Sequence, residues 1–563
     1  MVSLPGRKIN DARATMVLEN PQGFSRREML DELDSTVYDL VIVGGGITGS
    51  YAALDAAQRG FRVALIEKDD FASGTSSKSS KMVHGGLRYI EQGNLPLVRH
   101  SLLERQRLRK NAPHLIQRLP FLFPVLSENG VFDPRLAAGF EALLWTYDLA
   151  GGWREGVLHQ KLAPNEVLSH CPTFKTERLK YGLMYYDARV DDARLTLTIA
   201  RTAAHFGATV VNHTKVADIR RDSGRVSGVE AETVEGRSLS IRAKSVVMAT
   251  GSWLRDWHGA HPDADVPPIR PAKGVHIAVP WSKIRNDCTV TIPVPGRSRR
   301  ATITRWGDIA LLGTTDDDYQ ADLDEVHCTA DERDFLIDGT RTALNTDLDE
   351  NDVLGSIAGT RPLTAAPGGK SVDVKRNHEI RVDADGLVTV VGGKLTTSRH
   401  MAEQTIDAAA QVLGSKSRCA TAKQSLLGGA GYDAQSTTAT GGLVAHLGER
   451  YGNESHFVAD IIENEQSADE PLVDGLPYLT GEAVYSIRRE MATTISDVLD
   501  RRTRSRLHAR EAAAAAAPKV ADLLVAEGTT DRAAADAQLA DYLDDIAKET
   551  TALNTYTNDK EYV

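Results

Sequence analysis

Three features of the sequence predict an α/β fold with a helical C-terminal region. The run YDLVIVGGGITGSYAALDAAQRGFRVALIEK reads as strand, glycine turn, helix and strand, and its strands are unbroken apolar runs of the kind found in a parallel sheet. Short β patterns recur between residues 265 and 315, in GVHIAVP, ATITRW and DIALLGTTD. After about residue 415 the text becomes mainly helical, with an alanine run at 512–517 and a polar tail.

Taken in order, residues 1–36 are mixed and charged and read as an N-terminal extension, with a short helix near SRREMLDEL. The strand–turn–helix–strand unit follows. Residues 97–118 predict a helix that stops near Asn111, because Pro113 intervenes. Residues 187–211 predict a helix and then a strand, and 225–251 alternate like strands and end in the apolar SVVMATG. The strand LVTVVGG leads into the helix KLTTSRHMAEQTIDAAAQVLG. A Gly/Ser/Thr-rich stretch at 428–442 reads as a linker.

The bulk numbers exclude several classes. Lys and Arg total 66 against 77 Asp and Glu, a net charge of −11, which argues against general nucleic-acid binding. The cysteines Cys171, Cys288, Cys328 and Cys419 form no close pair, so neither a disulfide framework nor a metal site is expected, and a reducing cytoplasmic setting fits. The first thirty residues lack an apolar signal core. The most apolar run, LAAGFEALLWTYDLAGGW, is broken by Glu141 and Asp148 and does not span a membrane. Two basic runs, RQRLRK (105–110) and DRRTRSRLHAR (500–510), suit either contact with an anionic membrane or a solvated helix face.

Gly44, Gly46 and Gly49 form G-x-G-x-x-G after a strand and at the head of a helix, with Gly45 between them. This is the dinucleotide fingerprint of a Rossmann-like unit: backbone N–H groups and the helix N-terminus face a pyrophosphate. Glu67 ends the second strand, where a carboxylate takes the ribose hydroxyls. Two later strand-to-turn segments, ending at Gly251 and at Gly392–Gly393, favour FAD over NAD. The second aims a helix N-terminus into the cleft, where negative charge on a reduced flavin would be stabilised. No second fingerprint with strand and acidic partner is present for NAD(P)H.

The blocks YDLVIVGGGITG, TSSKSSKMVHGGLRY, APHL, VDDARL, KGVHI, GTTD, AGTRPL and GGKLTT, in this order over about 38–400, resemble the FAD-dependent glycerol-3-phosphate dehydrogenases. The resemblance implies a Rossmann-like FAD domain interleaved with a mostly antiparallel substrate sheet, of the glycine-oxidase and D-amino-acid-oxidase type, plus a C-terminal helical cap. On that template 37–414 is the oxidoreductase domain and 415–563 the cap. The FAD part takes about 37–110, 187–270 and 350–414; the substrate part takes about 111–186 and 271–349. The implied reaction oxidises sn-glycerol 3-phosphate to dihydroxyacetone phosphate, with hydride passing from C2 to flavin N5 and electrons passing to a quinone. The implied location is cytoplasmic, peripheral on the inner membrane. Oxygen as acceptor, an amine or amino-acid oxidase on the same fold, and a non-enzymatic FAD scaffold are the competing readings. Homodimerisation stays open.

Site residues follow from the same resemblance and from the chemistry a phosphate dianion requires. Arg88, Tyr89, Lys394 and Arg361 are expected at the substrate, the cations pairing its phosphate. Arg361 is also expected to stabilise charge on the C2 oxygen, and His276 to take the hydroxyl proton. Thr75, Ser76 and Ser77, the segment His84–Gly85–Gly86, and Gly393, Lys394, Leu395, Thr396 and Thr397 are expected around the flavin. His84 is given no catalytic role.

Overall fold

The computed structural model describes residues 24–91, 94–126, 134–177, 179–261, 267–293, 300–364 and 378–557. Its first sheet has a parallel centre in the order Leu387–Gly392, Ser238–Met248, Val37–Val43, Val63–Ile66, Thr209–Val211. Leu40, Val41, Ile42, Leu65 and Val247 are wholly buried there. The hydrophobic runs are continuous because helices cover the sheet. Ile47–Gln58, Asp192–His205 and Ser398–Val412 pack against one another over it. Strand His378–Val382 closes one edge antiparallel, and strands Thr214–Asp222 and Arg225–Thr233 form an antiparallel meander with the start of Ser238–Met248.

Among the described residues the second sheet has ten strands and is antiparallel except where Thr289–Pro293 runs parallel to Gln117–Leu126. It keeps its own core, including Val275, Ile277, Ile303 and Leu312. Strand Ile269–Pro280 lies between Gly355–Thr364 and Ile309–Gly313.

The structure departs from the sequence reading in four places. Helix Arg26–Ser35 is not an extension. Met29, Leu30 and Leu33 enter the first core, and Arg26 donates to the carbonyls of Asn212 and His213. Strand Gly355–Thr364, assigned to the FAD part, belongs to the second sheet because it pairs with Ile269–Pro280 over ten residues. The expected linker carries helix Ala434–Thr440, capped by the Asp433 side chain.

The fourth departure is the basic run 500–510, which is not a membrane face. Arg501 and Arg502 each lie 2.6 Å from buried Asp70, Arg504 reaches Asp192, and Arg506 lies 2.8 Å from Glu549. The pairs to Asp70 and Asp192 join the C-terminal helices to the first sheet's loop and covering helix, Glu549 carries the link on by accepting from Ser356 of the second sheet, and Arg194–Glu490 and Arg201–Glu454 extend the same seam along helix Asp192–His205. Buried charges persist only when paired, so the seam is a matched set rather than a collection of separate contacts.

His114 and His508 sit on this seam, the first against Tyr432 and Gly452, the second against Trp306 and Tyr478. Burial, with arginines nearby, pushes each imidazole down to about 3. The unfolded chain binds a proton at each below about 6.5 and the folded chain does not, so stability present at neutral pH is lost as pH falls from about 6.5 towards about 3. Each group is expected to remove about 2 kcal/mol at pH 5. Thermal unfolding at pH 7.5 and pH 5.0 checks this, and His508→Asn should flatten the dependence; a Tm equal at both pH values refutes it.

Candidate active site

The turn from Gly44 to Gly46 leaves the central strand Val37–Val43 and opens helix Ile47–Gln58. Close packing demands its glycines. A Cβ at Gly49 would overlap the Gly44 carbonyl, and one at Gly44, where φ is +110°, would lie 2.7 Å from the Ala249 carbonyl oxygen. Glu67 closes over this turn. Its Oε2 accepts from the Gly45 N–H at 2.5 Å and its Oε1 from the Asp69 N–H at 3.0 Å, and burial pushes its carboxyl up to about 7. Ser76 Oγ accepts from the Ile47 N–H at 2.9 Å, and Thr75 Oγ1 donates to the Thr360 carbonyl at 2.6 Å. The hydroxyl-rich loop is thereby pinned to the dinucleotide helix and to the second sheet.

These groups line one cavity of about 770 Å³, with Gly251, Trp253 and the Gly392–Thr396 turn. His84 finds its role here through its backbone. Its N–H donates to Thr396 Oγ1 at 3.1 Å, and that hydroxyl donates back to the His84 carbonyl at 3.2 Å. The HGG segment is so tied to the GGKLTT turn. Gly85 N–H donates to Asp187 at 2.9 Å, a buried carboxylate also bonded by Arg105 and by Tyr147.

At the other end of the cavity, strand pairing sets a row of side chains. Arg361 lies opposite Ala272 on one side of strand Ile269–Pro280, and Gly313 lies opposite His276 on the other. Directly opposed residues and every second residue share a face, so Arg361, Gly274, His276 and Gly313 point the same way. The two glycines leave the room that the side chains use: a Cβ at Gly274 would overlap the Arg361 guanidinium, and one at Gly313 the His276 ring. Arg361 donates to Asp316 at 2.9 Å, to Thr314 Oγ1 at 2.8 Å and to the Lys273 and Thr315 carbonyls, which fixes the plane of its fork. His276 Nε2 lies 3.0 Å from Ser80 Oγ. Burial, then the Arg361 and Lys81 charges, push its pKa down to about 3, so the ring is neutral. Lys394 Nζ sits 3.5 Å from the centre of the Tyr89 ring, a cation–π contact that holds the ammonium.

A family model described as FAD dependent oxidoreductase matches residues 39–408, and one described as the C-terminal domain of alpha-glycerophosphate oxidase matches residues 419–535. Glycerol-3-phosphate dehydrogenase 2 of Mycobacterium tuberculosis is 37% identical over 531 residues, covering 92% of this chain and 89% of that protein. The chain belongs to the FAD-dependent glycerol-3-phosphate dehydrogenase family. The FAD-complexed structure of a glycerol-3-phosphate dehydrogenase from Bacillus halodurans superposes with a TM-score of 0.76 at 27% identity, over 95% of this chain and 99% of that one. Glycine oxidase from Geobacillus kaustophilus shares the fold, at a TM-score of 0.50 and 23% identity over 69% of this chain and 98% of that one.

FAD is the cofactor of this family, and the cavity of this member fits it. The glycine turn admits no Cβ, and Thr250 Oγ1, at the cavity wall, is buried without a hydrogen-bond partner among the described residues. Of the residues expected from sequence, Gly44, Gly46, Glu67, Thr75, Ser76, His84, Gly251, His276, Arg361, Gly393, Lys394, Leu395 and Thr396 line the cavity. Gly45, Gly49, Ser77, Gly85, Gly86, Tyr89 and Thr397 stand behind the lining and hold it. The Arg88 side chain lies outside the described residues. Sequence reasoning missed Ser80, Asp316, Trp253 and Arg300. Asp316 sits in the quoted GTTD block, so a signal for it was present; Arg300 lies in a basic stretch with no motif.

Among the described residues, Asp70, His213 and Asp497 bring metal-ligand atoms close together. Arg501 and Arg502 occupy Asp70, and Arg501 also bonds Asp497, so this cluster balances its charge with guanidinium.

The glycine row gives a direct test. Gly274→Ala should displace the Arg361 fork while leaving FAD content within about 20% of wild type, at a stability cost of about 1–3 kcal/mol. Steady-state turnover is expected to fall by about tenfold or more, since Arg361 loses its set plane. Unchanged turnover shows that the fork need not lie over Gly274.

Proposed function

We propose that this enzyme oxidises sn-glycerol 3-phosphate to dihydroxyacetone phosphate and passes the electrons to a membrane quinone. The observation that carries the proposal is the meeting of Arg361 and Lys394 with neutral His276 on one cavity that also holds the dinucleotide turn. A phosphate dianion in a partly dry site needs more than one cation, whereas a single carboxylate is matched by one arginine fork. The names of the relatives point to the same substrate. On this reading residues 37–414 are the oxidoreductase unit and 415–563 its helical cap.

Bound FAD supplies a hydride acceptor at N5. The chain's own residues do the remainder. Lys394, held on the Tyr89 ring, and Arg361, held by Asp316 and Thr314, take the phosphate and orient the carbon chain. Arg88, one residue before Tyr89, is assigned to the same phosphate by the family resemblance. As hydride leaves C2, its hydroxyl becomes a protonated carbonyl and turns strongly acidic. A neutral imidazole of low basicity then suffices to take the proton at Nε2, in place of the Ser80 hydroxyl that the atom now faces. The Arg361 charge stabilises the C2 oxygen in the same step.

One surface supports the quinone half of the proposal. Helix Pro134–Ala150 buries Phe140, Leu144 and Tyr147 against Tyr89, yet turns Trp145 and Leu149 outward at 50% and 79% exposure, beside Trp153 at 56%. Such a helix is apolar on both faces, and Trp153 under Arg154 and Tyr181 under Lys161 have the chemistry of a membrane interface. No helix of the described residues is long and apolar enough to cross a membrane.

Two experiments test these points. Anaerobic sn-glycerol 3-phosphate should bleach the flavin and glycerol should not; a ubiquinone or menaquinone analogue should then reoxidise it faster than oxygen does. Equal bleaching by glycerol overturns the phosphate assignment, and faster reoxidation by oxygen overturns the quinone. Trp145→Glu with Leu149→Glu should abolish co-sedimentation with anionic vesicles while activity with a soluble dye acceptor stays unchanged; retained sedimentation moves the contact elsewhere.

A further inference from the structure

The C-terminal helices do more than cover the sheets. We infer that Arg504 of the C-terminal domain is a positioning residue of the active site, which sets the loop 74–81 and, through it, His276. The inference rests on the cofactor cavity described above and, for its kinetic arm, on the proposed reaction.

Each hydroxyl of this loop has a defined partner. Ser76 Oγ meets the N-terminal N–H of the dinucleotide helix, and Ser79 gives both its N–H and its hydroxyl to Asp192, at 3.1 and 2.7 Å. Ser80 Oγ meets His276 Nε2. Between them, the Ser77 carbonyl accepts from Lys81 Nζ at 2.9 Å and from Arg504 Nη2 at 2.7 Å. The same two cations share Asp192, Lys81 at 2.7 Å and Arg504 at 3.2 Å. Two acceptors and two cations thus close a small ring of charge under the loop, roofed by the Trp306 ring at 5.3 Å from Lys81 and 5.9 Å from Arg504.

The backbone shows how closely this ring is specified. Lys81 and Arg504 both adopt left-handed conformations, with φ of +56° and +60°, which non-glycine residues rarely take. One residue from each side of the contact is held in that conformation where they meet. Arg504 is also separable from the general seam. Its neighbours Arg501 and Arg502 hold Asp70, and Arg506 holds Asp545 and Glu549; Arg501, Arg506 and Asp545 act on Lys78 of the loop through charge rather than through a hydrogen bond. Arg504 alone of this run bonds a loop residue, with Ser76 and Ser80 on either side of the residues it governs.

The test compares holoenzymes of Arg504→Met, Arg504→Lys and the control Arg506→Met, each measured per bound flavin. Arg504→Met is expected to lower kcat by about tenfold or more with KM within about threefold, because proton transfer at His276 is misaligned while the phosphate cations are untouched. It should also shift the visible flavin spectrum and lower the temperature of FAD release by about 5 °C relative to Arg506→Met. Arg504→Lys keeps the charge but loses the planar fork, whose Nη2 serves both Ser77 and Asp192 while Nη1 is anchored on the Asp500 carbonyl, so its values should fall between wild type and Arg504→Met. The spectrum and the release temperature need no substrate, so they stand even if the assigned substrate is wrong. If spectrum, release temperature and kcat of Arg504→Met all match Arg506→Met, the inference is overturned. If Arg504→Met does not accumulate folded, wild-type spectrum and kcat in Arg504→Lys overturn it equally.

Discussion

Asp192 is the buried charge around which the molecule is organised. It opens helix Asp192–His205, and it accepts from Ser79, Lys81 and Arg504 at once. Burial alone would raise its pKa, yet Lys81 and Arg504 hold it below the usual carboxylate range. Lys81 in turn is pushed down to about 8 by burial and by Arg504, which leaves it charged at neutral pH. Three parts of the chain far apart in sequence therefore meet at one carboxylate: the hydroxyl loop, a helix over the first sheet, and the C-terminal domain. A buried carboxylate with several cations and N–H groups on it cannot shift without leaving some of them unpaired, and that cost is what makes the arrangement single-valued.

The second organising constraint is pleating. The first sheet delivers a turn and a helix end, which is a backbone surface suited to phosphates and ring edges. The second delivers alternate side chains from adjacent strands, and so presents Arg361, His276 and Thr302 in one rank across three neighbouring pairings. Gly274 and Gly313 serve by lacking side chains: in a rank of large residues, bare positions decide where the large ones lie down. The cavity is the space between these two kinds of surface, and each contributes what the other cannot.

What could be read from sequence was local. The dinucleotide turn, the parallel strands and most helices announce themselves within a dozen residues, by apolar runs and glycine spacing. The roles within the site were less legible. Thr75 and Ser76 were expected to face the cofactor; they line the cavity, and they also bind Thr360 and Ile47, contacts that depend on tertiary position. Arg361 was expected at the substrate; it lines the cavity, and it is also ion-paired with Asp316, a partner 45 residues away whose pairing no local pattern marks. The basic run at 500–510 was misread for a physical reason: Asp70 pairs with Arg501 across 431 residues, and no local pattern reveals a partner at that distance. Helix Arg26–Ser35 was read as an extension although Met29, Leu30 and Leu33 already marked an apolar face.

The arginine seam also bears on how such a chain can change over evolution. A nucleotide-binding βαβ unit is commonly treated as a portable part, lent from one protein to another. Here Asp70 and Asp192, at its edge and over its sheet, hold charges whose counterparts lie in another domain. Grafted elsewhere, the unit would carry Asp70 buried with its guanidinium partners missing, and the helix Asp192–His205 that covers it would lose Arg504 from Asp192. The two regions are therefore expected to be inherited together, and a chimera that exchanges one for a distant relative's would need the matching acids and bases exchanged as a set.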